Sequence, residues 1–180
     1  MFPRPALGTL AFILFILCIP AANWLIGNVG TVCVPNGPCL IPVAPGVMAP
    51  SGVLMIGLAL VLRDIVQRLL GATWSLAAIL AGTAVSFWLA PPALVIASSV
   101  AFLLSELADF AVYTPLQRRR LLLAVVASSC VGLVIDSIVF LALAFGSLDY
   151  LAGQLIGKAW ALLFAYPLVQ LVRRVTAVPT

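Results

Sequence analysis

Six stretches of the chain, at about residues 7–26, 50–70, 73–90, 93–116, 121–145 and 151–172, each run apolar for close to twenty residues. That is the length an α-helix needs to cross the hydrocarbon core of a bilayer, ~30 Å at 1.5 Å per residue. In lipid every backbone N–H and C=O must be paired internally, so only helices and closed barrels span. The runs are too long for barrel strands and do not alternate, so they predict helices. Composition agrees, with 64% of the 180 residues hydrophobic and 8% charged. A soluble domain is about half apolar and a quarter charged. The expected fold is an all-α integral membrane protein, a single domain over 1–180 built as one compact bundle of six transmembrane helices.

Orientation follows from the arginines. Arg4 precedes the first run, and Arg63 and Arg68 close the second. Arg118, Arg119 and Arg120 separate the fourth run from the fifth, and Arg173 and Arg174 follow the sixth. With alternating helices all of these share one side. The positive-inside bias makes that side cytoplasmic and puts both termini there. The net charge of +4 is then topological, and no nucleic-acid partner is expected. The opening stretch MFPRPALGTLAFILFILCIPAA also has the form of a signal peptide. Its apolar run continues through Trp24 to Ile26, so it is read as the first span.

The longest connection, GNVGTVCVPNGPCLIPVAPGVMAP, is rich in Gly and Pro and is expected to be irregular. It falls on the outer side, where a disulfide between Cys33 and Cys39 can persist. Spacing alone leaves a bonded pair and two free thiols equally open. The chain has no His and its four Cys are scattered, so no metal or other cofactor is expected. Without a phosphate-binding glycine loop or a G-x-S-x-G nucleophile turn, it reads as neither an ATPase nor a membrane enzyme.

Charges inside the apolar runs carry the functional information. A charged side chain near the bilayer centre costs several kcal/mol, about 3 by insertion scales, and persists where it faces the bundle interior with a partner. The second run holds Arg63, Asp64, Gln67 and Arg68, the fourth Glu106 and Asp109, the fifth Asp136, and the sixth Gln154 and Lys158. From helical rise, Asp136 lies roughly 13 Å and Lys158 roughly 10 Å below the outer ends of their helices, so the two can pair. Asp64 and Asp109 lie roughly 20–25 Å down. Two polar layers are therefore expected, an upper one of Asp136 and Lys158 and a lower one of Asp64, Asp109 and Arg68, with Glu106 between them. Arg63, Asp64, Gln67 and Arg68 are expected to form a gating or structural charge cluster, in which Asp64 and Arg68, one turn apart, can pair. Phe102, Glu106, Asp109, Phe110 and Tyr113 share one broad face of the fourth helix, which sets acids among aromatics. Gly153 and Gly157 form a G-x-x-x-G that admits a close neighbouring helix. Each charged group also has a purely structural reading, as a satisfied ion pair in a bundle that transports nothing.

The blocks RDIVQRLLG, SELADFAVY, VGLVIDSIVFLALAFG and GKAW followed by AYPL, in this order over about residues 49–172, resemble the queuosine precursor transporter family, also labelled VUT. The resemblance implies a bacterial inner-membrane importer of 7-deazaguanine bases, 7-cyano-7-deazaguanine or 7-aminomethyl-7-deazaguanine, that feeds tRNA modification. It also implies a six-helix fold like the substrate-binding subunits of energy-coupling-factor importers. The partners would then be a small heterocyclic base, the bilayer and either a second copy or a separate energy-coupling module. Asp64, Arg68, Asp109, Asp136 and Lys158 match the charged positions of the family's blocks. Glu106 falls where members carry Glu or Gln. The Cys33–Cys39 loop matches nothing in the family. The expected substrate-binding set is Phe102, Glu106, Asp109, Tyr113, Asp136, Gln154 and Lys158. Carboxylates would accept the base's paired N–H donors, a Lys or Gln would donate to its carbonyl, and aromatics, Phe110 and Trp160 among them, would cover its faces. The acids of SELADF are expected to be the binding carboxylates. The alternatives are a vitamin- or nucleobase-binding subunit of an ATP-driven importer and a non-transporting membrane structural protein.

Overall fold

The computed structural model describes residues 4–35, 37–90 and 92–176. Its body is α1 (Arg4–Asn28), α2 (Val53–Leu70), α3 (Ala72–Leu89), α4 (Val95–Leu116), α5 (Leu121–Phe145) and α6 (Leu151–Thr176). Pro92–Leu94 forms a single 3-10 turn before α4. Pro91, expected with Pro92 to close the third helix, lies outside the described residues.

Five of these helices, α1, α3, α4, α5 and α6, are long and apolar enough to cross a membrane. The sequence suggested six. The difference is α2, whose 18 residues include Arg63, Asp64 and Arg68. Its place explains how it carries them, because α2 touches each of the other five helices. Residues pointing away from the bundle are strongly apolar, with Trp88 83%, Phe164 74% and Ile96 71% exposed. A water-facing surface would not hold such a covering. Inside, Phe15, Ile19, Val61, Leu62, Phe102 and Tyr113 belong to one buried cluster. In lipid these contacts act through close packing rather than through escape from water.

The connection between α1 and α2 is not irregular as expected. It holds an antiparallel sheet of β1 (Val32–Cys33), β2 (Cys39–Ala44) and β3 (Val47–Pro50) in that order. The glycines and prolines mark the turns between short strands. Pro45 and Gly46 join Ala44 to its partner Val47, with Gly46 at φ 72. That is the residue order of a type II turn, whose third position needs positive φ. Cys33 and Cys39 are partners across β1 and β2 and are joined by a disulfide.

The sheet caps one end of the bundle. Ser51 Oγ donates to the Leu25 carbonyl at 2.7 Å, and the Ser51 N–H donates to the Cys39 carbonyl at 2.9 Å. A Cβ at Gly153 would overlap the Met48 carbonyl oxygen, and one at Gly157 would meet Val53 Cγ1 at 2.7 Å. The G-x-x-x-G face of α6 thus admits strand β3 and the start of α2, not only a neighbouring helix. At the opposite end Arg4 Nε donates to the Val175 carbonyl at 3.1 Å, which brings the first and last helices together.

Candidate functional site

Arg63 organises the lower polar layer. Its Nη2 pairs with Asp64 Oδ1 at 2.9 Å and with Asp109 Oδ1. Its Nε donates to Glu106 Oε2 at 3.1 Å and its Nη1 to Gln67 Oε1 at 3.0 Å. Gln67 Nε2 donates in turn to Thr114 Oγ1 at 2.9 Å, and Ser128 Oγ donates to Asp64 Oδ2 at 3.0 Å. The guanidinium also lies 5.6 Å from the Tyr113 ring centre and 6.0 Å from that of Phe110, within cation–π reach. Three carboxylates from α2 and α4 therefore converge on one cation, and all four charged residues are at most 1% exposed.

This geometry differs from the sequence expectation in three ways. Asp64 pairs with Arg63 rather than Arg68, whose Nη1 and Nε instead donate to the Gln117 carbonyl and Thr176 Oγ1. Glu106 and Asp109 face Arg63 and do not border the cavity on which Asp136 and Gln154 open. The aromatics beside them, Phe110 and Tyr113, lie over the guanidinium, and Tyr113 is fully buried there.

The upper layer is built on Lys158. Its Nζ donates to Asp136 Oδ2 at 2.6 Å, to Ser137 Oγ at 2.7 Å and to Gln154 Oε1 at 2.6 Å. An ammonium has three donors, so all are used within the protein. Asp136 and Gln154 then border a cavity to which all six helices contribute. Asn23 from α1, Ser86 from α3 and Ser98 from α4 add polar groups, while Phe102 and Phe140 add rings. Pro50 and Gly52 place the cavity toward the sheet-capped end. Its free volume is about 50 Å³, room for a few waters at roughly 10–15 Å³ each, so a bicyclic ligand must part the side chains. Sequence alone did not indicate Asn23, Ser86, Ser98 or Phe140. Asn23, Ser86 and Phe140 are isolated polar or aromatic residues among apolar neighbours and Ser98 is one of a serine pair, and only the meeting of six helices gives them a common focus. Trp160, a candidate stacking residue, points outward at 43% exposure and donates from Nε1 to the Val43 carbonyl.

Among the described residues no group of His, Cys, Asp and Glu is arranged to hold a metal ion. A protein-family model described as "Putative vitamin uptake transporter" matches residues 89–179, which is 91 of the 180 residues. The matched part contains α4, α5 and α6, and with them Glu106, Asp109, Asp136, Gln154 and Lys158. Neither the curated proteins nor the solved structures give a match.

Proposed function

The chain belongs to this family of membrane uptake transporters, and from that premise we propose that it imports small, flat, nitrogen-rich bases of the queuosine precursor class. We place the substrate in the six-helix cavity. The observation that carries this reading is the division of labour around Lys158. By holding Asp136 Oδ2 and Gln154 Oε1, the ammonium fixes both side chains and leaves Asp136 Oδ1 and Gln154 Nε2 without a protein partner among the described residues. A 7-deazaguanine offers an N–H and an amino group that a carboxylate oxygen accepts, and a carbonyl that an amide N–H reaches. Phe102 and Phe140 supply flat apolar faces in the same cavity. Lys158 positions these groups rather than touching the base.

In this reading α2 is the sixth span, both termini are cytoplasmic, and the cavity opens toward the outer face in the inner membrane of a bacterium. The Arg63 layer closes the path below it. On the far side of that layer Gln67 lines a basic vestibule with Arg68, Thr114 and Gln117. The ion pairs of Arg63 with Glu106 and Asp109 join α2 to α4, so inward release requires them to part.

Uptake of labelled 7-cyano-7-deazaguanine and 7-aminomethyl-7-deazaguanine by cells lacking their own pathway, with this chain expressed alone, tests the substrate. Accumulation supports the reading. Accumulation that appears only with an added ATPase module identifies a binding subunit of an ATP-driven importer. Binding of a vitamin panel with no binding of either base sinks the deazaguanine assignment. The site is tested separately on purified protein. The Asp136→Asn/Lys158→Met double variant removes both charges together, so it should stay folded and bind about ten- to a hundredfold more weakly, the loss expected for a charged hydrogen-bond partner worth ~1.5–3 kcal/mol. Asp109→Asn should lower the melting temperature with little change in affinity.

A further inference from the structure

The arginine end of the bundle carries a groove apart from the six-helix cavity and adjoining the basic vestibule, with Arg68, Gln117, Arg118 and Arg119 common to both. Arg68, Arg118, Arg119, Arg120, Arg173 and Thr176 line a groove of about 490 Å³ where the α4–α5 connection meets the end of α6. Among the described residues no acidic side chain balances these arginines. Of the chain's five acidic residues, Asp64, Glu106 and Asp109 are taken by Arg63 and Asp136 by Lys158. Asp149 lies at the other end, beside Ser147. The first turn of α5 also faces this groove through Leu121, Leu122 and Leu123, and no side chain caps that helix. Its free N–H groups and the positive end of its dipole add to the arginines as an anion site.

Directly along the bundle lies an apolar groove between α5 and α6. It measures about 240 Å³ and is lined by Leu122, Val125, Ala159, Leu162 and Val169 among others. Leu122 is common to both grooves. From Ala159 to Val169 the groove follows α6 for roughly 15 Å, and Arg173 stands one turn, roughly 6 Å, beyond its end. A cationic cradle that opens into an apolar furrow on the lipid-facing side matches an amphiphile with an anionic head and a hydrocarbon tail. The geometry points to a specific site for an anionic phospholipid, with its phosphate among Arg68, Arg118–Arg120 and Arg173 and one acyl chain laid between α5 and α6. Basic pockets between helices on the cytoplasmic side hold anionic headgroups by the same chemistry.

Native mass spectrometry of the purified full chain tests the assignment, with phosphatidylglycerol or phosphatidylcholine supplied from mixed micelles. The wild type should retain phosphatidylglycerol over phosphatidylcholine. Arg119→Gln/Arg173→Gln removes two exposed arginines whose side chains make no hydrogen bond among the described residues, so the fold should persist while retention falls about thirtyfold. Ala159→Phe fills the furrow from an exposed position and should lower phosphatidylglycerol retention with all arginines in place. Equal retention of the two lipids, or unchanged retention in either variant at wild-type melting temperature, overturns the proposal. Complete displacement of phosphatidylglycerol by an equal concentration of inorganic phosphate also overturns it, because the site would then recognise a free anion and not a lipid.

Discussion

Two buried cations, Arg63 and Lys158, show what a single residue does in this bundle. Each sits at no more than 1% exposure and gathers side chains from other helices. Removing one partner of a buried pair costs ~3–5 kcal/mol, because the other charge is stranded in low dielectric. Lys158→Met should therefore lose folded yield sharply, and Lys158→Met with Asp136→Asn should recover much of it. A double-mutant cycle on thermal stability measures the coupling, and simple additivity would show that the 2.6 Å contact contributes nothing. The pairing of Asp136 with Lys158 was legible because consecutive antiparallel helices place groups of equal depth side by side. The role of Arg63 was not. Arg63 and Arg68 stand at the same end of α2 but about 140° apart around it, and depth alone does not say which face turns toward α4. Gly153 is a third informative position. Gly153→Ala drives a Cβ into the Met48 carbonyl, a backbone atom that cannot rotate away. Overpacking of this kind costs ~1–3 kcal/mol, to be read as a lowered melting temperature with substrate affinity measured on the folded fraction.

At the scale of elements, the helices were readable from apolar run length and the sheet was not. CLIPVA and VMAP are short, contain proline and alternate too briefly to stand out beside runs of twenty. What makes them strands is the partner each finds across a two-residue turn, and register is invisible until the pairing is known. The disulfide closes a loop with a sequence separation of 6, for which the chain-entropy estimate gives about 2 kcal/mol. Replacing Cys33 and Cys39 together by Ser should loosen the sheet without melting the bundle. Hydrogen exchange should then quicken over residues 31–50 and stay unchanged in α5. Faster exchange spread through α5 would mean that the sheet supports the core. α2 is the harder element to read, since its charges disqualify it by composition while its neighbours make it the centre. A short helix with Arg63 and Asp64 is accommodated in this apolar bundle because five others touch it.

The whole molecule is polar in three levels: a cavity with Asp136 and Gln154, the closed Arg63 layer, and a basic end where α1 and α6 meet. The charged end was evident from the arginines, whereas the cavity depends on how six helices converge and leaves no trace in any one run. Single cysteines introduced in a Cys-free background should be labelled from outside the cell at residues 31–47 and protected at 117–120. The opposite pattern reverses the transport direction assigned above. The Arg63 layer also bears on how the protein is made. Its acids on α4 lie 43 and 46 residues downstream of Arg63. At ~5–20 residues per second of synthesis, α2 waits roughly 2–9 s for the carboxylates of α4. During that wait Arg63 has only Asp64 of its own helix to pair with, and a lone ion pair is still costly to desolvate, so if α2 is the sixth span the insertion machinery is expected to shelter it until α4 is threaded beside it. A nascent chain arrested before Glu106 clears the ribosome should leave α2 extractable by alkali, and one arrested beyond α4 should not.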